Sequence, residues 1–202
     1  MKRLMILLST VLALFSCSPM DSDNKDKFVE DNDAWVDLGL SVLWAKYNIG
    51  ATSPEEYGGY YAWGEKEEKI TYTAENYSFK KIDDETFSIS GTSNDVARAK
   101  WGGGSRMPDY EEIEELRSLC QWEDHVMNGV NGSLVTGQNG NTIFIPDAGL
   151  KYGADRMPFV IFWSATSYHA ANALSLPVVT PDGTRSYWER AYGLPVRAVK
   201  DK

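Results

Sequence analysis

Hydrophobic and polar residues alternate in short blocks along most of the 202-residue chain, but the first block is different. Leu4 to Phe15 form a largely apolar run that follows the basic Met1-Lys2-Arg3. The run is about a dozen residues long, which is too short to cross a bilayer and typical of the apolar part of a secretory signal. The sequence therefore predicts a signal peptide over residues 1–16.

The end of this run carries the chain's first cysteine, in Leu14-Phe15-Ser16-Cys17. A small residue directly before a cysteine resembles the bacterial lipobox, in which the signal is cut before the cysteine and that cysteine is acylated. We predict lipidation of Cys17 and anchoring at the bacterial outer membrane or cell surface. The alternative is an ordinary secretory signal with Cys17 incidental.

The next segment, residues 17–33, is rich in Asp, Asn, Ser and Lys and has little apolar content after Cys17. Such a composition buries too little apolar surface to fold, and is typical of a flexible tether. We therefore assign residues 34–202 to one folded domain, a length sufficient for its own core.

Short apolar segments separated by turn residues open this domain. Trp35–Leu38 and Val42–Trp44 flank Gly39, which is typical of a hairpin. Gly58–Glu65 is aromatic and bounded by glycines, so it predicts a further strand. Lys66–Ile89 is polar and predicts an irregular excursion.

A first, short helix is predicted for Asp95–Trp101, with Ser93 or Asn94 as its N-cap. The glycines at 102–104 are expected to stop it. They are not followed by the Lys-Ser or Lys-Thr of a phosphate-binding loop, so we interpret them only as a helix stop.

A second, stronger helix pattern begins after Asp109, which can serve as its N-cap. The acidic residues that follow Tyr110 favour the positive end of the helix dipole. Four apolar residues then fall on one helical face, which the pattern predicts to be buried: these are Ile113, Leu116, Leu119 and Cys120.

The C-terminal half predicts strands joined by tight turns. Asn131-Gly132 and Gly137–Asn141 have turn chemistry, and Ile143–Ile145 between turns predicts a short buried strand. Trp163 and Val196–Val199 predict two more strands. Strands, two helices and then strands indicate an α+β fold in one domain.

Charge and composition disfavour several classes of function. The formal net charge is −9, which disfavours nucleic acid and anionic membrane surfaces as partners. The two histidines, His125 and His169, and the two cysteines are too few for a common zinc site. If Cys17 carries lipid, Cys120 has no partner for an intrachain disulfide. No Gly-x-Ser-x-Gly elbow is present, so the sequence predicts no enzyme.

Several motifs together resemble the Fibrobacter succinogenes major paralogous domain family, found among surface lipoproteins of Bacteroidetes. The resemblance runs from about Trp35 to Val199. The motifs that carry it are Trp35-Val36-Asp37-Leu38-Gly39-Leu40-Ser41-Val42-Leu43-Trp44-Ala45, Asn48-Ile49-Gly50-Ala51, Tyr61-Ala62-Trp63-Gly64-Glu65, Asp95-Val96-Ala97, Trp101-Gly102-Gly103, Arg106-Met107-Pro108, Asn139 to Pro146, Trp163-Ser164-Ala165-Thr166 and Gly193 to Val199.

This resemblance implies a single C-type-lectin-like domain with two helices and short antiparallel strands. That fold is shared with the formylglycine-generating enzyme, but the cysteines such an oxidase needs in its C-terminal region are absent beyond Cys120. The fold often binds calcium, so calcium stays an open alternative to no cofactor. The chain departs from the family at Ser105, Asp109 and Asp147, and the last is either a further ligand oxygen or a turn residue.

The remaining candidate chemistry is binding. Aromatic, amide, imidazole and guanidinium groups cluster between Trp163 and Val199, as in surfaces that combine rigid contact area with adaptable hydrogen bonds. We predict non-catalytic binding of a glycan or protein ligand there; a structural envelope protein without a small ligand is the alternative. The predicted ligand-binding residues are Tyr168, His169, Asn172, Tyr187, Trp188, Arg190 and Tyr192.

Overall fold

The computed structural model describes residues 34–79, 86–176 and 186–202. The signal peptide predicted for 1–16, Cys17 and the tether predicted for 17–33 lie outside these residues. Within them, the fold is α+β, with two helices and eleven short strands in small antiparallel sheets. The predicted fold class is confirmed at this level.

Most elements follow one another with short connections, but a long segment separates β2 from α1. In chain order they are β1 (Trp35–Asp37), β2 (Leu43–Ala45), α1 (Val96–Trp101), α2 (Tyr110–Leu119), β3 (Gln121–Met127), β4 (Val130–Thr136), β5 (Thr142–Pro146), β6 (Leu150–Tyr152), β7 (Asp155–Met157), β8 (Trp163–Tyr168), β9 (Asn172–Ser175), β10 (Tyr187–Glu189) and β11 (Val199–Lys200).

The two ends of the domain meet in one sheet with the order β1-β2-β11. The predicted hairpin is confirmed, since β1 pairs with β2 and Gly39 lies between them with a φ of 79°. Of the predicted strand Val196–Val199, only Val199 belongs to a regular strand. The carbonyls of Val196 and Ala198 nevertheless accept backbone hydrogen bonds from the loop after β2 and from β2 itself.

A second sheet has the order β3-β4-β5. The turn between β3 and β4 is Asn128-Gly129, where φ is 49° and 83°. The prediction of a turn at Asn131-Gly132 is wrong, because these residues pair with both neighbours inside β4. The turn predicted at Gly137–Asn141 and the buried strand at Ile143–Ile145 are both confirmed.

The prediction of a regular strand at Gly58–Glu65 is also wrong. Only Tyr61 makes a strand-like pair there, with Leu194, outside any regular strand. The segment instead carries large side chains inward: the indole N–H of Trp63 donates to the carbonyl of Ser164 at 2.8 Å. Burial of aromatic side chains, together with isolated backbone hydrogen bonds such as those between Tyr61 and Leu194, therefore holds this segment.

Both helices form where the sequence predicts them, with corrected ends. The N-cap of α1 is Asp95, not Ser93 or Asn94, and its carboxylate accepts from the Arg98 N–H at 3.1 Å. Gly102 ends α1 with a φ of 64°. In the described part of the chain, no helix is long and apolar enough to cross a membrane.

The second helix begins after Asp109, whose backbone N–H donates to Glu112 at 2.9 Å. Ile113 and Leu116 are fully buried, as predicted. Leu119, however, is 47% exposed, because the helix ends there and the chain turns into β3. The prediction of a four-residue buried face is thus wrong at its C-terminal end.

Two buried clusters form most of the core. One surrounds Trp63 and Trp163 and includes residues from α1, and the other surrounds Trp44 and Phe162 and includes the buried face of α2. Trp44 and Phe162 meet edge to face with ring centroids 5.9 Å apart. Two further tryptophans, Trp35 and Trp101, pack against this core.

Candidate functional site

The candidate site lies on the third sheet, whose order is β10-β9-β8. Antiparallel pairing places Tyr168 beside Asn172 and Asn172 beside Glu189. Because paired residues point to the same face of a sheet, these three side chains share one face. The structure thus brings together residues from three strands that the sequence only places in one region.

A pair of stacked tyrosines, Tyr168 and Tyr187, rises from this face, and we call it the tyrosine ridge. The ring centroids are 4.6 Å apart and the ring planes differ by 29°. Tyr187 is 49% exposed, so the ridge presents aromatic surface to solvent. Asn172 and Glu189 supply amide and carboxylate groups beside it.

His169 follows β8 at the tip of the β8–β9 turn. It is exposed, and its φ of 55° is uncommon for a residue with a side chain. Its ring lies 4.3 Å from the ring of Tyr168, centroid to centroid. The predicted residue therefore belongs to the same exposed surface as the tyrosine ridge.

Two other predicted residues, Trp188 and Tyr192, belong to a different surface. Trp188 lies between Tyr187 and Glu189 in β10, so its side chain points to the opposite face of the sheet. We call the rings there the aromatic row; adjacent ring centroids are 4.9–6.2 Å apart. The row consists of Tyr152, Tyr192, Trp188 and Phe159.

The burial of Arg190 contradicts the prediction that its side chain contacts a ligand. It is only 1% exposed, and its guanidinium carbon lies 4.6 Å from the ring centre of Trp63. Its Nε donates to the carbonyl of Asn172 at 3.0 Å, and a terminal nitrogen donates to the carbonyl of His169 at 2.9 Å. Arg190 therefore supports the β8–β9 turn from inside the domain.

The described residues contain no group of three or more His, Cys, Asp or Glu side chains placed to hold a metal ion. Cys120 is half-buried, and burial raises the pKa of its thiol above the ordinary value. A raised pKa lowers the fraction of thiolate, so this cysteine is not set up as a nucleophile.

A groove of about 1020 Å³ lies beside β3, and the sequence does not predict it. Its lining includes Trp122, Asp124 and Asp147. Asp147, which the sequence leaves as a ligand oxygen or a turn residue, donates its backbone N–H to the carbonyl of Asn131 at 2.8 Å and extends the sheet.

Comparisons with protein-family models, with curated proteins and with solved structures found no match for this chain.

Proposed function

We propose that the chain is a lipid-anchored protein of the bacterial cell envelope that binds a ligand without catalysis, through the tyrosine ridge of its C-terminal region. A single observation carries the binding proposal: the exposed Tyr187 stacks on the half-buried Tyr168, on the same sheet face as an amide and a carboxylate. The anchoring proposal is supported by the signal-like run and by Cys17.

A glycan suits this chemistry best. Aromatic rings offer broad apolar contact to the C–H face of a sugar, and tyrosine hydroxyls add polar contacts. Asn172 offers a donor and an acceptor, and Glu189 offers acceptors, for sugar hydroxyls. A protein ligand is the second candidate, because paratope-like surfaces use the same residue types.

We further propose that the domain has the C-type-lectin-like fold and belongs to the Fibrobacter succinogenes major paralogous domain family. The order of the motifs from Trp35 to Val199 supports this, as does the α+β arrangement with two helices between antiparallel strands. A fold hosts many functions, so the binding proposal rests on the surface residues and not on the fold.

The full chain, purified in detergent, is to be screened on a glycan array and on an array of envelope proteins, with calcium and again with a chelator. Saturable binding to a glycan supports the proposal, and binding only to a protein shifts it to the second candidate. Loss of binding in the chelator would assign a role to calcium. A flat screen with folded protein would favour a structural envelope role instead.

A further inference from the structure

The longest free edge of the second sheet belongs to β3. One side of β3 pairs with β4 along all seven residues. Within residues 34–79, 86–176 and 186–202, no strand pairs with its other side, and no backbone hydrogen bond from outside β4 reaches it. Five of its seven residues are exposed. Such an edge presents unpaired backbone donors and acceptors that an added strand can use.

The groove of about 1020 Å³ runs beside this edge. Trp122, Asp124 and Val126 alternate along β3 and therefore point to the groove face of the sheet. Val160 and Leu176 also line the groove, and Val126 is 60% exposed. The groove thus combines apolar contact surface with an acidic centre.

The acidic centre consists of Asp124 and Asp147. Burial, and secondarily the charge of Asp124, raise the pKa of Asp147 above the ordinary value. Arg156 lies near, but it donates to the backbone carbonyl of Asp147, and Arg117 at the rim pairs with Glu114. Among the described residues, neither aspartate takes part in an ion pair.

We propose that β3 and the groove form a docking site for an extended, basic segment of a partner protein. The segment pairs with β3 as an added strand and places a Lys or Arg side chain beside Asp124, on the sheet face that also carries Asp147. Apolar residues two positions before and after that cation contact Trp122 and Val126. This site is on a different sheet from the tyrosine ridge and does not depend on the proposed ligand.

The negative charge at the β3 edge favours a basic segment over a second copy of this chain as the bound strand. A second copy of this chain would bring Glu123 and Asp124 against the same acidic edge, and like charges on paired strands are destabilising. The formal net charge of −9 adds long-range repulsion between copies. A cationic strand meets neither penalty and compensates the two aspartates.

The test uses the full chain and the peptide acetyl-Thr-Val-Thr-Lys-Thr-Val-Thr-amide, whose Val and Lys side chains share one face when extended. We expect saturable binding by calorimetry, with NMR shifts of the β3 backbone amides. Asp124→Asn should weaken binding about tenfold, as for a close charge pair, and Asp147→Asn should weaken it less, because Asp147 lies beyond β5 and farther from the added strand. Glu111→Gln, which removes the same charge from the exposed surface of α2, should leave binding unchanged.

The backbone contribution is tested by N-methylating alternate residues of the peptide, in both alternate sets. Strand addition predicts that one set abolishes binding and the other does not, because only every second N–H faces the edge. The proposal is overturned by absence of saturable binding at millimolar peptide, by equal weakening in Glu111→Gln, or by insensitivity to both methylated sets. A peptide with Lys replaced by Glu should not bind.

Discussion

A terminal nitrogen of Arg190 donates a hydrogen bond to the backbone carbonyl of His169 at 2.9 Å. This contact links the buried core, where Arg190 packs over Trp63, with the exposed turn beside the tyrosine ridge. The tyrosine ridge therefore has a fixed support, although Tyr187 is exposed and Tyr168 is only half-buried. Arg190 acts on the proposed site through the backbone and not by touching the ligand.

Replacement of Arg190 by Met should lower the free energy of unfolding by about 2–4 kcal/mol, because charge-assisted hydrogen bonds and a cation–π contact are lost together. Arg190→Lys should recover only part of this loss, since an ammonium cannot reproduce the planar guanidinium fork. Urea unfolding measures both variants.

The matched control for that experiment is Arg117→Met. Arg117 pairs with Glu114 at 2.8 Å in an exposed position, and exposed ion pairs contribute less than about 1 kcal/mol. Equal losses for the two arginine variants would contradict the supporting role of Arg190.

Two glycines with similar backbone angles offer a second test. Gly149 has a φ of 68° and Gly153 a φ of 62°, but an added Cβ would lie 1.8 Å from the carbonyl oxygen of Met157 at Gly149 and would meet nothing within 4 Å at Gly153. Gly153→Ala should cost about 1 kcal/mol from the left-handed conformation alone. Gly149→Ala should cost about 3 kcal/mol or more, because overpacking is added.

Thermal and urea unfolding of the two variants measure this difference. If Gly149→Ala is no less stable than Gly153→Ala, the close approach of the backbone segments at Gly149 and Met157 is wrong.

The buried hydroxyl of Tyr60 should make the free energy of unfolding depend on pH. Its hydroxyl donates to the carbonyl of Ala148 at 2.5 Å, and burial raises its pKa from the usual 10.0 to about 12. Because the unfolded chain loses this proton first, the contribution of Tyr60 to stability is complete below the unfolded pKa and is lost as pH rises through the folded one.

The stability advantage of the wild type over Tyr60→Phe should therefore shrink as the pH is raised from 10.0 to about 12. Urea unfolding of both proteins across this range measures it. Parallel curves for the two proteins would contradict the buried, hydrogen-bonded state of the Tyr60 hydroxyl.

Replacement of Cys17 by Ala should release the protein from membranes, because it removes the residue that carries the proposed lipid. Fractionation of cells followed by carbonate washing measures the release, with Cys120→Ala as the control that keeps the lipobox. Retention of Cys17→Ala in washed membranes would contradict the anchoring proposal.

The sequence predicts well where local chemistry decides the structure. Gly39, Asp109 and the run Ile143–Ile145 lie where turn, cap and burial patterns placed them. It fails where tertiary contacts choose between local options. Asn128-Gly129 and Asn131-Gly132 both have turn chemistry, and the pairing of β4 with β5 selects the first.

Tertiary contacts also limited what the sequence could predict of the candidate site. The sequence predicts one binding surface for Tyr187 and Trp188, whereas in β10 they point to opposite faces of the sheet. The stack of Tyr187 on Tyr168 depends on two strands that lie on either side of β9. Arg190 is charged, so its burial is not expected from its type. Backbone carbonyls and aromatic rings from distant segments compensate its burial, and these contacts are not evident in the sequence.

The most direct test of the binding proposal is a glycan array probed with the wild type, Tyr187→Ala and Tyr152→Ala. Both tyrosines are exposed, at 49% and 58%, but Tyr187 belongs to the tyrosine ridge and Tyr152 to the aromatic row. The account predicts that Tyr187→Ala loses the glycan signal while remaining folded and that Tyr152→Ala keeps it. Retention of the signal in Tyr187→Ala, or its loss only in Tyr152→Ala, would contradict a binding site at the tyrosine ridge.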